Sequence, residues 1–236
     1  MKKKKSASFF TEEENARIRS AIEKAEANTS GEIVTMVVDH SNSYREAEIL
    51  GAVLTAAFCA FLLEITIQIG LLWFSSSGWG AGSILNAEIV LYGVSLWTYI
   101  PLVIILFFPL RLLFRRCEVL KLPFAGKTRI EEAVRERAVR AFFEKELYRT
   151  RDETGILIFL SLLEHKVWIL ADRGINSRLP QEQWQGLARE LSLGLREKRA
   201  CEALCEVIGS CGEALAQHFP RKADDTNELA DHVLHH

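Results

Sequence analysis

Apolar residues recur along this chain with three different periods, and each period predicts a different element. Residues 11–27, TEEENARIRSAIEKAEA, open with Thr11 and Glu14 in capping-box spacing and then place Ile18, Ala21, Ile22 and Ala25 on one helical stripe. The helix is expected to stop at Asn28-Thr29-Ser30-Gly31. EIVTMVVDH follows, apolar at both alternating positions with Thr35 the one polar interruption. Such a strand needs cover on both faces, as in a parallel sheet under helices. Later, TRIEEAVRERAVRAFFEKELYRTR puts Ile130, Val134, Ala138, Ala141 and Phe142 on one side of a helix. Ile156–Leu163 reads as a strand buried on both faces and Val167–Ala171 as its partner, with a tight turn at Glu164-His165-Lys166. Pro180–Glu197 and Cys201–Phe219 read as two more helices, the first with Trp184, Leu187, Leu191 and Leu195 on its inner side. The closing RKADDTNELADHVLHH reads as a polar, loosely docked tail.

Two further stretches are apolar all round. Ile49–Phe74 and Ile89–Phe114 each make a helix of roughly 39 Å, longer than a hydrocarbon core of about 30 Å. Their charges are Glu64 and Arg111. The joining SSSGWGAGSILNAE has no Lys or Arg, whereas Arg111, Arg115, Arg116, Lys121, Lys127 and Arg129 follow the second helix. That asymmetry places the short loop outside and both termini in the cytoplasm. Trp73, Trp79 and Tyr92 suit the outer interface. Lys2–Lys5 precede a charged helix rather than an apolar segment, so they read as a solvated tail able to touch anionic lipid and not as a signal peptide.

Neither polar fragment completes a fold alone. Residues 1–45 supply one helix and one strand, and residues 118–220 a hairpin with three helices. Together they make an α/β/α sandwich around a small mixed sheet, an α/β domain interrupted by an inserted two-helix transmembrane hairpin at residues 46–117. Residues 221–236 are left as tail. The 29 Lys plus Arg against 31 Asp plus Glu exclude a strongly basic nucleic-acid binder, and no charge stripe with interleaved aromatics argues for one. The five cysteines, Cys59, Cys117, Cys201, Cys205 and Cys211, show no CxxC or zinc spacing and read as packed thiols. No nucleophile elbow, P-loop, GxGxxG or HExxH is present.

The helix leading into TSGEIVTMVV, then ETGILIFLSLLEHKVWILADRGI, then the helical PQEQWQGLARELSLGLREKRACEALCEVIGSCGEALAQHFP resemble the TPM domain, also labelled TPM phosphatase. More narrowly they look like bacterial members with two transmembrane helices, which implies a cytoplasmic (inner) membrane location. The resemblance implies an α/β/α sandwich and a group of mixed activities: a phosphatase label, metal binding in some members, accessory roles for membrane complexes in others. The chain departs from the family's pattern in three places, the first being ELYRTRDETG where a stretch rich in Trp and Gly usually precedes the hairpin. Glu164-His165 stands where paired aspartates are frequent, and Asp172-Arg173-Gly174 where Gly-aromatic-Gly is frequent.

Parallel strands at Ile33–Val38 and Ile156–Leu163 would gather Asp39, His40, Glu164 and His165 at one pole of the sheet, where open α/β sheets bind ligands. That group reads either as strand ends and turn residues, or as a divalent-metal site for hydrolysing a phosphate ester near the membrane. The opposite pole gathers Glu32, Thr154, Asp172 and Arg173, read as a structural rim or an anion site. Inside the membrane, Glu64 and Gln68 share a helix face within reach of Ser95, Thr98 or Tyr99, as interhelical glue, a homo-oligomer contact or an ion path. The function these readings favour is a binding or accessory module for membrane-associated partners. The alternative is a metal-assisted phosphatase.

Overall fold

Thr11 accepts from the Glu14 backbone N–H while Glu14 Oε2 accepts from the Thr11 N–H at 2.8 Å, and from this capping box helix α1 (Glu12–Glu26) begins. The computed structural model describes residues 6–74, 84–222 and 233–235. After α1 come β1 (Glu32–Val38), the long α2 (Arg45–Phe74) and α3 (Ile84–Arg116), the short α4 (Leu122–Ala125) and α5 (Lys127–Glu144). The hairpin β2 (Gly155–Ser161) and β3 (Lys166–Ala171), a one-turn α6 (Arg173–Asn176), α7 (Gln181–Arg196), α8 (Ala200–His218) and β4 (Leu234–His235) complete the order. The Lys2–Lys5 run, Trp79, the Ser75–Ser83 part of the loop, the side chains of Tyr92 and Ser95, His232 and His236 lie outside the described residues.

The sheet runs β3-β2-β1-β4, with β1 parallel to β2 over Glu32↔Gly155 to Val38↔Ser161 and β2 antiparallel to β3. Alternation along each strand sorts side chains into two cores. Ile33, Val37, Ile156, Ile158, Leu160, Val167 and Ile169 meet Ile18 and Ile22 of α1, Trp184 and Leu191 of α7, and Leu204, Ile208 and Leu215 of α8. Val34, Met36, Val38, Leu157 and Phe159 meet Val134, Ala138, Ala141 and Phe142 of α5. Both strands are buried along their whole length, as continuous apolar runs demand. The fold is therefore an α/β/α sandwich with three helices on one face and one on the other.

Residues up to Ser43 and from Lys127 onward form one unit, and Tyr44–Gly126 forms the other. Within the second, α2 and α3 pack side by side. Ala52, Ala56 and Ala60, one turn apart, are fully buried, and a Cβ on Gly51 would lie 2.4 Å from the Phe114 ring. Small residues at this spacing let helix backbones approach closely. Away from that seam the helices show large apolar side chains: Phe58 is 61% exposed, Ile69 61%, Ile105 67% and Phe108 65%. Both helices are long and apolar enough to cross a membrane. At one end Glu48, itself buried, pairs with the buried Lys121 at 3.2 Å and with Arg111 at 3.7 Å. Glu64 accepts from Gln68 Nε2 and from Thr98 Oγ1, each at 3.4 Å, and Tyr99 donates to the Ala57 carbonyl instead.

Two expectations need correction. The tail is not merely polar: Val233 is buried and Leu234–His235 pairs in parallel with Met36–Val37, capping the outer edge of β1. The β2–β3 turn spans Leu162–His165, so both strands end earlier or begin sooner than their apolar runs suggest. Leu162 and Leu163 still donate to the Val38 and Asp39 carbonyls at 3.0 Å, but the chain has already turned away from β3.

Candidate functional site

The carboxyl ends of β1 and β2 do share one pole. Glu164, 6% exposed, lies at its centre. Its Oε1 accepts from the Ser41 backbone N–H at 2.9 Å, and its Oε2 from the Ser161 hydroxyl at 2.5 Å. The Ser41 and Ser161 hydroxyls are themselves 2.8 Å apart. One buried carboxylate therefore ties the segment leaving β1 to the end of β2. Asp39 is used in a similar way, accepting from the Ser6 backbone N–H at 2.5 Å. His40 and His165 are exposed, and His165 takes a left-handed backbone (φ 47°) as the last residue of the turn. Among the described residues no group of three or more His, Cys, Asp or Glu is placed to hold a metal ion. Each oxygen of Glu164 accepts from a protein donor.

The opposite pole is also knitted from within. Thr154 donates its hydroxyl to the Ser30 carbonyl at 2.9 Å, and its carbonyl accepts from the Glu32 N–H at 3.1 Å. Asp172 Oδ1 caps α6 by accepting from the Arg173 N–H at 2.7 Å, while its Oδ2 is buried without a partner among the described residues. Burial pushes the Asp172 carboxyl up from its ordinary range, against the lowering effect of that cap, and nearby Glu153 adds to the rise. A recess of about 410 Å³ sits at this pole. Its cations are engaged: Arg178 Nη1 donates to the His218 carbonyl at 2.5 Å and stacks 4.7 Å from the Phe219 ring, and Lys222 holds Asp152 at 2.7 Å.

Burial disfavours the thiolate at three of the cysteines. Burial raises Cys201 to about 11 and Cys211 to about 12, and Cys205 is raised too, while Cys117 is exposed. A raised thiol forms thiolate only as pH climbs toward its own value. At pH 7.5 a maleimide is therefore expected to modify the exposed Cys117 first, Cys201 more slowly and Cys211 slowest. Modification of Cys201 should quicken as the pH is raised toward 11. Peptide mass spectrometry of timed samples checks the order, and early modification of Cys211 would contradict it.

Sequence reasoning brought the right carboxylates to each pole but missed their partners, Ser6, Ser41 and Ser161. It also missed a groove beside the sheet edge. That groove, about 330 Å³, is lined by Val167 and Ile169 of β3, Gln181, Trp184 and Ser192 of α7, and Glu131 of α5, among others. Trp184 is 1% exposed, and its Nε1–H has no acceptor among the described residues. The α7 stripe signalled a core face, but nothing in the pattern marked Gln181 or Ser192.

Comparison with known proteins bears on the same unit. A family model described as the TPM domain matches residues 125–214. The matched segment runs from the end of α4 into α8 and leaves out α1 and β1, which pack in the same sandwich. A solved structure, the NMR structure of the BA42 protein from the psychrophilic bacterium Bizionia argentinensis, resembles the chain with a TM-score of 0.54. It is 19% identical, with 97% of this chain and 96% of that chain covered. At that identity the likeness shows the fold alone. No curated protein matches.

Proposed function

We propose that this chain, which carries a TPM domain at residues 125–214, is a membrane-anchored binding module. The α2–α3 hairpin holds it in a bacterial cytoplasmic membrane with both termini on the cytoplasmic side, and the α/β/α unit docks membrane-associated partners. The observation that carries this reading is the use made of the pole carboxylates. Glu164 and Asp39, the groups best placed for hydrolytic chemistry, accept hydrogen bonds that hold their own backbone together. A metal-assisted phosphatase needs such groups turned toward a cleft.

Cost supports the anchor. Each large apolar side chain left in water forfeits about 1.5–3 kcal/mol, and the two helices expose more than a dozen of them. Lipid removes that penalty. The intact protein is therefore expected to stay in the membrane pellet after alkaline carbonate extraction, and a version with residues 46–117 replaced by a Gly/Ser linker to move to the supernatant. Release of the intact protein by carbonate would end the anchor.

The binding role is tested by photo-crosslinkers placed on the α/β/α unit in cells. Partners are expected to be captured by the intact chain and not by the hairpin alone. The reading fails if purified protein turns over a phosphate ester and loses that turnover in a Glu164→Gln variant.

A further inference from the structure

Among the described residues strand β3 is the edge of the sheet opposite β4, and side chains stand where another strand would bond. The Val167 N–H donates to Ser192 Oγ at 3.1 Å, the Ile169 carbonyl accepts from Gln181 Nε2 at 3.0 Å, and the Ala171 carbonyl accepts from Asn176 Nδ2 at 2.6 Å. Edge strands need such cover, and short polar side chains supply it without closing the edge for good. The groove described above runs along this edge between α7 and α5. Its walls are apolar at Val134 and Ala188, and the buried Trp184 brings an unsatisfied N–H donor.

Charge narrows the occupant. Lys166 and Glu131 neutralise each other at 2.7 Å across the groove mouth. Arg189 on α7 is exposed, as is Arg135 on α5, whose guanidinium lies 6.0 Å from the Trp168 ring centroid. Among the described residues neither has a carboxylate within ion-pair distance. Arg135 stands outside the groove's lining, so with Lys166 and Glu131 paired the groove carries one guanidinium in excess, that of Arg189, beside one edge N–H and one edge carbonyl under exchangeable side-chain caps.

We propose that this groove binds an extended acidic segment of a partner protein, which adds as a strand beside β3. Its backbone N–H and C=O groups replace Gln181 and Ser192 on the Ile169 carbonyl and Val167 N–H, one hydrogen bond for another. An Asp or Glu side chain of that segment meets Arg189. A second copy of this chain fits badly, because Lys166–Ala171 carries no carboxylate and edge-to-edge pairing would bring like-charged arginines together. The assignment rests on the binding-module reading and names the class of partner.

The test uses the intact protein in nanodiscs, panned against a display library of random ten-residue peptides with empty nanodiscs subtracted. Enrichment of Asp- and Glu-containing, β-branched sequences is expected. A labelled peptide from that set should bind with affinity weakened tenfold or more by Arg189→Glu, a surface change, and by Ala188→Tyr, which fills the groove and is kept only if its melting temperature is unchanged. Amide exchange at Val167–Ile169 should slow when the peptide is bound. No acidic enrichment, or binding unaltered by Arg189→Glu, overturns the proposal. So does a change of oligomeric size in Arg189→Glu, which would make the edge a contact between copies. If cellular partners still crosslink to the α/β/α unit while neither variant affects them, the groove falls and the binding module stands. Loss of every partner dependent on that unit removes both.

Discussion

The Glu164→Ala variant is expected to unfold about 3 kcal/mol more easily than the parent chain, the cost of deleting one buried charged acceptor that serves two donors. The Ser41 N–H and the Ser161 hydroxyl lose their acceptor at a site where Glu164 itself is 6% exposed, so little water can replace it. Glu164→Gln should cost less, about 1 kcal/mol, because Oε1 still receives the Ser41 N–H and the Ser161 hydroxyl can turn to accept from the new amide. Denaturant midpoints of the intact protein in detergent, followed by tryptophan fluorescence, check both values. The experiment separates the two meanings of this carboxylate. Groups kept for chemistry often sit at a stability cost, so their removal leaves a protein as stable or more so. An unchanged or raised midpoint for Glu164→Ala would return the pole to the candidates for catalysis.

A second large effect is expected at Gly212. A Cβ there would stand 2.6 Å from the Ala25 Cβ and 2.9 Å from its Cα, so α8 and α1 touch backbone to backbone. Neither atom belongs to a flexible side chain that could swing aside. Gly212→Val must push the helices apart and open the core around Ile18, Ile22 and Leu215, at a cost of about 3 kcal/mol. Gly209, on the same helix, has nothing within 4 Å of its would-be Cβ. Gly209→Ala is therefore expected to gain up to about 1 kcal/mol from helix propensity alone. The pair is a controlled comparison: similar chemistry on one helix, opposite signs. Faster proteolysis within residues 12–26 of Gly212→Val alone would locate the damage at α1. Equal behaviour of the two variants would mean that α1 is not fastened to α8.

Much of the fold was legible because its strands are unusually unambiguous. Ile33–Val38 is apolar at both parities but for Thr35, which argues against a half-exposed edge and calls for a long neighbour such as the distant Ile156–Ser161. What escaped was short or polar. Leu234–His235 is too brief to carry a period, and its polar surroundings hide it, although Val233 beside it is buried. Leu162 and Leu163 extend the apolar run of β2 past the point where β3 begins to pair, so periodicity overshoots the turn. At the pole, strand direction brought Glu164 near Ser41, but a serine gives no periodic signal. Whether a carboxylate is a ligand or a brace depends on which donors reach it. That is a property of three dimensions that spacing along the chain does not encode.

The long detour between β1 and its neighbour β2 has a consequence during synthesis. About 120 residues separate them, on the order of ten seconds at the ribosome. For that interval a seven-residue apolar strand is outside the exit tunnel with no ladder partner, while the hairpin emerges behind it. The nascent chain must keep that strand shielded until β2 and α8 arrive to close the body.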